Sequence, residues 1–258
     1  MHELDDETKR RLGEIFAVVE LWQRRVSDVA TRPEAGSSLA GDDAATDPYQ
    51  MSHSAHLAMA SAVDHLNALQ SLVRGAQAVH PYASFTILRA AIENASVPLW
   101  LLAPAGRQER VLRRLRLQWG DAQDFHNVTG GAPDDLASRK AKLQEVGREA
   151  GLSQDAIATI AARPVAYSTI VQIAGEANPD LTGDMALFCW RSCSGMAHAK
   201  PWATLSVLEQ EQIGEVAAGV LDLRVTASDS NLVTMALAGM LMTNAAWGLI
   251  DDRAKRLI

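Results

Sequence analysis

An arginine and a histidine stand seven residues apart in the segment Arg191-Ser-Cys-Ser-Gly-Met-Ala-His198. Seven residues are nearly two helical turns, so both side chains leave one side of a helix, about 10 Å apart along its axis. The long guanidinium and the imidazole can then converge on one anionic group. That pairing suits phosphodiester chemistry: the arginine neutralises charge developing on phosphate, and a side chain titrating near neutrality moves the proton. The plainer alternative pairs Arg191 with a carboxylate and leaves His198 to close the end of the helix.

A second pair, Arg89 and Glu93, sits four residues apart in the apolar run FTILRAAIENASVPLWLL. That spacing makes them neighbours on one face. Charges in such surroundings need partners, so the two form a partly buried ion pair, or Glu93 orients Arg191 or His198 from a facing helix. Arg107, Arg110, Arg113, Arg114 and Arg116 form the one basic concentration in the chain, with Arg107, Arg110 and Arg114 on one helix face. They read as contacts to a nucleic-acid backbone, or as a solvated face paired with acidic helices. His53 and His56, three apart, could share a metal if another helix supplied further ligands such as His126 or His198. Sequence spacing does not bring those together, and no metal or cofactor enters the functional reading.

These residues need a scaffold, and the 258-residue chain is long enough to bury a sizeable core. Lys and Arg number 24 against 31 Asp and Glu, a net charge of −7, which argues against coating DNA through the whole surface. Hydrophobic residues make up 48% and aromatics only 5%, a balance that suits closely packed helices better than aromatic-rich sheets. The expected fold is mostly α, a multi-helix up-down bundle forming a single domain over residues 1–258. Helices are expected over Leu4–Ala30, Met51–Val79, Tyr82–Ala103 and Pro104–Val128, then from near Asp134 and Ser153, over Gly183–Ala197 with Thr182 as N-cap, and over Asp229–Lys255. Val165–Ala174 reads as a helix or turn. Pro98 should kink or divide its helix, because proline has no backbone N–H to donate. Residues 31–48 collect Pro, Gly, Ser and Asp and read as a mobile loop or linker. Residues 203–227 alternate apolar and polar side chains and read as a small β-hairpin, with a helix as the alternative.

Cys189 and Cys193 lie at a spacing that a helix does not suit to a disulfide, so a reduced, cytoplasmic setting is expected. The first residues, Met1 to Glu7, are acidic and hold no apolar run, so no signal peptide is expected. Ser230–Ile250 holds no charge and is long enough to cross a bilayer, but its Asn and Thr residues and flanking aspartates favour a central bundle helix, with no membrane partner. Small residues on that helix (Ala236, Ala238, Gly239, Ala245, Ala246) suit tight helix contacts, including those of a dimer. The P-loop, the dinucleotide fingerprint, H-E-x-x-H, paired C-x-x-C and G-x-S-x-G are all missing.

R-x(4–6)-H on a late bundle helix resembles the HEPN superfamily, small α-helical domains that are often metal-independent endoribonucleases in toxin–antitoxin and phage-defence systems. ILRAAIENASVPLWLL and RSCSGMAHAKPW also look like the two marker regions of uncharacterised bacterial helical proteins, many of them actinobacterial. The matching motifs span about a tenth of the chain. The resemblance implies that Arg191 contacts phosphate, that His198 transfers protons and that Glu93 is the acidic residue from an earlier helix. Ser192 fits the polar residue that follows the arginine. With Arg89, Arg107, Arg110 and Arg114 it completes the candidate substrate contacts. The implied reaction is attack of an RNA 2′-hydroxyl on its adjacent phosphate, leaving a cyclic phosphate. The implied assembly is a homodimer with RNA as partner; a partner protein is not identified. Gly195 lies within the motif and is expected to loosen the helix there. Without the resemblance, the reading is a non-catalytic helical interaction or sensor module.

Overall fold

In the helix Ala83–Leu102, thirteen side chains are buried, among them Phe85, Leu88, Ile92, Leu99 and Leu101. A helix that apolar can only lie at the centre of a bundle. The computed structural model describes residues 4–28 and 32–256 and places it there. The helices are α1 (Asp6–Ser27), α2 (Ser38–Ala45), α3 (Met51–Gln70, continued by a π-turn over Ser71–Gly75), α4 (Ala83–Leu102), α5 (Arg107–Thr129), α6 (Pro133–Glu149), α7 (Gln154–Ile160), α8 (Tyr167–Glu176), α9 (Gly183–Ala197), α10 (Pro201–Val207) and α11 (Asp229–Ala254). Strands β1 (Leu208–Ala217) and β2 (Val220–Ala227) form one antiparallel hairpin before α11. The fold is thus mostly α with a small β-hairpin. Pro98 does not divide α4.

Local chemistry sets the boundaries. Asp5 accepts from the Thr8 N–H at the start of α1, whose first turn is acidic and last turn basic, as the helix dipole favours. The expected end of α1 near Ala30 lies outside the described residues. Thr182 caps α9 by accepting from the Met185 N–H. Gly130 ends α5 at φ +63°, a left-handed conformation that costs glycine little.

The stretch 31–48 is not simply a loop, although Thr31 lies outside the described residues. Ser37 caps α2 by accepting from the Ala40 N–H, and α2 buries Leu39 and Asp42 completely. Asp43 then accepts from the backbone and hydroxyl of Ser52, tying α2 to the first turn of α3. The polar residues that suggested mobility are caps and buried contacts.

Around α4 pack α3 and α11 together with α8 and α9, while α1 closes over α3 and α11. The small-residue face of α11 is used inside the chain: a Cβ on Gly239 would meet Leu66, Ala91 and Ile92. That face is therefore not free for a dimer. Helix α11 is long and apolar enough to cross a membrane by length and composition, and just over half of its apolar window is buried against the other helices. The hydrophobic residues form two clusters. The larger surrounds α4. The smaller joins Val111, Leu115 and Trp119 of α5 to Leu143, Val146, Leu152, Ile157 and Ile160 around α6 and α7.

Candidate functional site

Helix α9 runs unbroken through Gly195. The glycine does not loosen it. A Cβ there would lie 2.6 Å from the Ala203 Cβ and 2.8 Å from the Trp202 ring, so the missing side chain lets α10 pack close against α9. Arg191 and His198 are both exposed, and His198 is the residue that closes the helix. Neither side chain forms a hydrogen bond or ion pair with another described residue. Ser192 is buried, since adjacent helical residues point about 100° apart. It faces the core and is not placed to touch a substrate beside Arg191.

Glu93 is not turned toward Arg191 or His198. Its carboxylate lies 3.1 Å from Arg89 and accepts from the indole N–H of Trp190 at 2.9 Å. The Arg89 guanidinium sits 5.9 Å from the Trp190 ring centre. Glu93 thus binds the inward neighbour of Arg191 and ties α9 to α4. Arg89 is committed to the same internal group. Behind it, burial pushes the Cys189 thiol up to about 11 and raises that of Cys193 further. Both cysteines are free, and as protonated thiols they are poor nucleophiles.

The arginine cluster divides in the same way. Arg110 is buried with all five N–H donors used. It donates from Nε and Nη2 to both oxygens of Asp42 at 2.7 and 2.8 Å, from Nη1 to the carbonyls of Pro104 and Ala105, and from Nη2 to Ser38. Arg107 also donates to Asp42, at 3.2 Å. Arg113 donates to Glu109 and to the Trp100 carbonyl. These residues anchor α2 and α4 to α5 and do not form a phosphate groove.

Arg114 is the exception. It is only 7% exposed, yet it donates to no carboxylate; its Nη2 donates to Gln118 at 2.8 Å, and its buried Nε has no partner. Burial pushes its pKa down to about 10, with Asp121 opposing. It remains charged at neutral pH. It lines a cleft of about 600 Å³ between α3, α4, α5 and the start of α8, walled by Trp100, Leu117 and Tyr167 and carrying Asp121 and Asp124 at its other end. Burial raises the Tyr167 hydroxyl, with Glu93 and Asp124 adding to the effect. Positions 114, 117, 118, 121 and 124 recur at three- and four-residue steps, the one sequence signal that could have marked this stripe. The reading of spacing singled out Arg114 but missed the aspartates, Trp100 and Tyr167. The histidines of α3 serve locally: His56 Nδ1 and His65 Nδ1 bond the carbonyls of Ser52 and Ser61, and His53 lines the cleft. Among the described residues, no three His, Cys, Asp or Glu side chains converge as metal ligands.

A third feature is a concentration of exposed apolar side chains along one stretch of the chain. Of fourteen large hydrophobic side chains exposed among the described residues, eight fall within 185–221: Met185, Phe188, Trp202, Leu205, Ile213, Val216, Val220 and Leu221. The hairpin is anchored at its base, where Leu208 and Ala227 are buried as partners, and is exposed along most of its length. No protein-family model, curated protein or solved structure matches this chain.

Proposed function

We propose that the chain is a helical interaction module that pairs with a second copy of itself through α9, α10 and the hairpin. The observation that carries this reading is that eight of the fourteen exposed large apolar side chains among the described residues fall on α9, α10 and the hairpin, and uncovered apolar side chains in such numbers mark interaction sites. A two-stranded hairpin lying free in water is marginal, so a covering partner supplies what the single chain lacks. Charge selects the partner. The hairpin exposes Glu209, Glu211, Glu215 and Asp222 against Arg224 alone, whereas the outer side of α9 and the turn after it expose Arg191 and Lys200 against Asp184. Each hairpin laid on the other copy's α9 satisfies both surfaces under two-fold symmetry. The free cysteines suit the reducing, cytoplasmic setting expected for such a protein. Sedimentation velocity at micromolar concentration should give a dimer that weakens with salt. Phe188→Glu combined with Val216→Glu should give a monomer with an unchanged helical spectrum, both residues being exposed. A wild-type monomer across the micromolar range refutes the reading.

A second reading, metal-independent ribonuclease activity in a defence or toxin–antitoxin setting, is favoured by one observation. Arg191 and His198 lie exposed and unengaged on the same helix of this surface. Arg191 would hold the phosphate while His198 moves the proton as the 2′-hydroxyl attacks. Glu93 has no part in this version, being held by Arg89 and Trp190. RNA cleavage in chelator should be lost in His198→Ala with dimerisation retained. Equal cleavage by the variant, or none by the wild type, refutes the activity and leaves the interaction module standing.

A further inference from the structure

Two arginines on α5, four residues apart, are both buried and meet opposite fates. Arg110 has a buried carboxylate and every donor satisfied. Arg114 has neither, and it lines a cleft of the size that small-molecule sites occupy. A buried cation whose nearest carboxylate, Asp121, reaches it only through Gln118 is poorly compensated, and a ligand anion arriving in the cleft relieves it.

The remaining lining states what else the ligand carries. Arg114 and Arg116 stand against Asp121 and Asp124, so the charges along the cleft balance. They are also ordered. Arg114 and Asp121 are seven residues apart on one helix, about 10 Å of rise, with Asp124 a turn beyond. Gln118 lies between, accepting from Arg114 and donating to Asp121 at 3.0 Å, which holds the two ends in register. The walls are mainly apolar and aromatic, with Ser54, Ser61 and Asn94 among them. A nucleic-acid strand does not fit a cleft with this volume and an acidic end.

We infer that the cleft between α3, α4, α5 and α8 binds a small amphoteric organic acid, its carboxylate on Arg114, its apolar body along Trp100 and Tyr167, and its ammonium group at Asp121 and Asp124. Arg114, the buried guanidinium, matches a monoanion, while Arg116 is half-buried and donates to the Arg163 carbonyl; the paired aspartates match one cation. The site is independent of the self-association surface, which lies on α9, α10 and the hairpin.

The test is calorimetric titration of the full chain with three probes: para-(aminomethyl)benzoate, which carries both end groups, para-toluate, which lacks the amine, and benzylamine, which lacks the acid. The amphoteric probe should bind with a Kd of about 1 mM or tighter, and the other two about tenfold more weakly. Arg114→Gln should weaken the amphoteric probe at least about tenfold, and Asp124→Asn about threefold. A Cβ on Gly120 meets only Pro164, at 3.8 Å, so Gly120→Phe puts a ring into the cleft and should abolish binding even if Arg114→Gln fails to fold. No binding of the amphoteric probe up to about 10 mM overturns the inference, as does equal affinity for all three probes or binding that Gly120→Phe leaves unchanged.

Discussion

Asp42 is completely buried and holds two arginines from α5, one of them Arg110 with its full set of donors. The stabilisation in such a group lies less in the pair itself than in the cost of breaking it, because removing one partner strands a charge away from water. Asp42→Asn should therefore destabilise the chain by about 3–5 kcal/mol, read as a fall in the urea midpoint. A loss below about 1 kcal/mol would place Arg110 in contact with solvent. Local spacing showed that Arg107, Arg110 and Arg114 share a helix face. It could not show that Asp42, sixty-eight residues before Arg110, takes the first two of them and leaves Arg114 without a carboxylate. Glu93 carries the same lesson: its pairing with Arg89 follows from a four-residue step, whereas its hydrogen bond from Trp190 crosses ninety-seven residues.

Among the elements, α8 and α9 meet through glycine. A Cβ on Gly175 would come within 2.6 Å of the Ala186 Cβ and 2.9 Å of the backbone at Gly183 and Thr182. Backbone cannot yield as a flexible side chain does, so Gly175→Ala should push the helices apart at a cost of about 1–3 kcal/mol in thermal or urea unfolding. Gly248→Ala is the control. It meets nothing within 4 Å in a helix and should be neutral or stabilise by up to about 1 kcal/mol. The element pattern was largely legible, because periodicity and the Thr182 cap act through neighbours in sequence; Pro201, at the first position of α10, opens a short helix that the alternation after it concealed. The alternation in 203–227 marked the hairpin but not its start: residues 203–207 belong to α10, where Ala203 and Val207 are buried four residues apart, and β1 begins only at Leu208. Helix α2 escaped because its eight residues bury only Leu39 and Asp42, too few to make a period, and because Ser and Asp serve both as loop formers and as caps.

Over the whole molecule, the chain folds around α4 and carries a smaller apolar cluster on α5–α7. Composition indicates helices packed through Ala, Leu and Met, but says nothing of which helix takes the centre beside α4. The cleft was the least legible feature, because four elements build it and only α5 contributes a periodic signal. Its character comes from an arginine left unpaired, and an unpaired group has no signature in spacing.

The central place of α4 also governs how the protein is made. Helix α11 covers α4 from more than a hundred residues further along the chain. During synthesis, the part of α4 that α11 covers stays uncovered by it until residues 229–254 have left the ribosome. At ordinary elongation rates that is on the order of ten seconds or more, an interval in which chaperones, rather than the finished core, keep the nascent chain soluble.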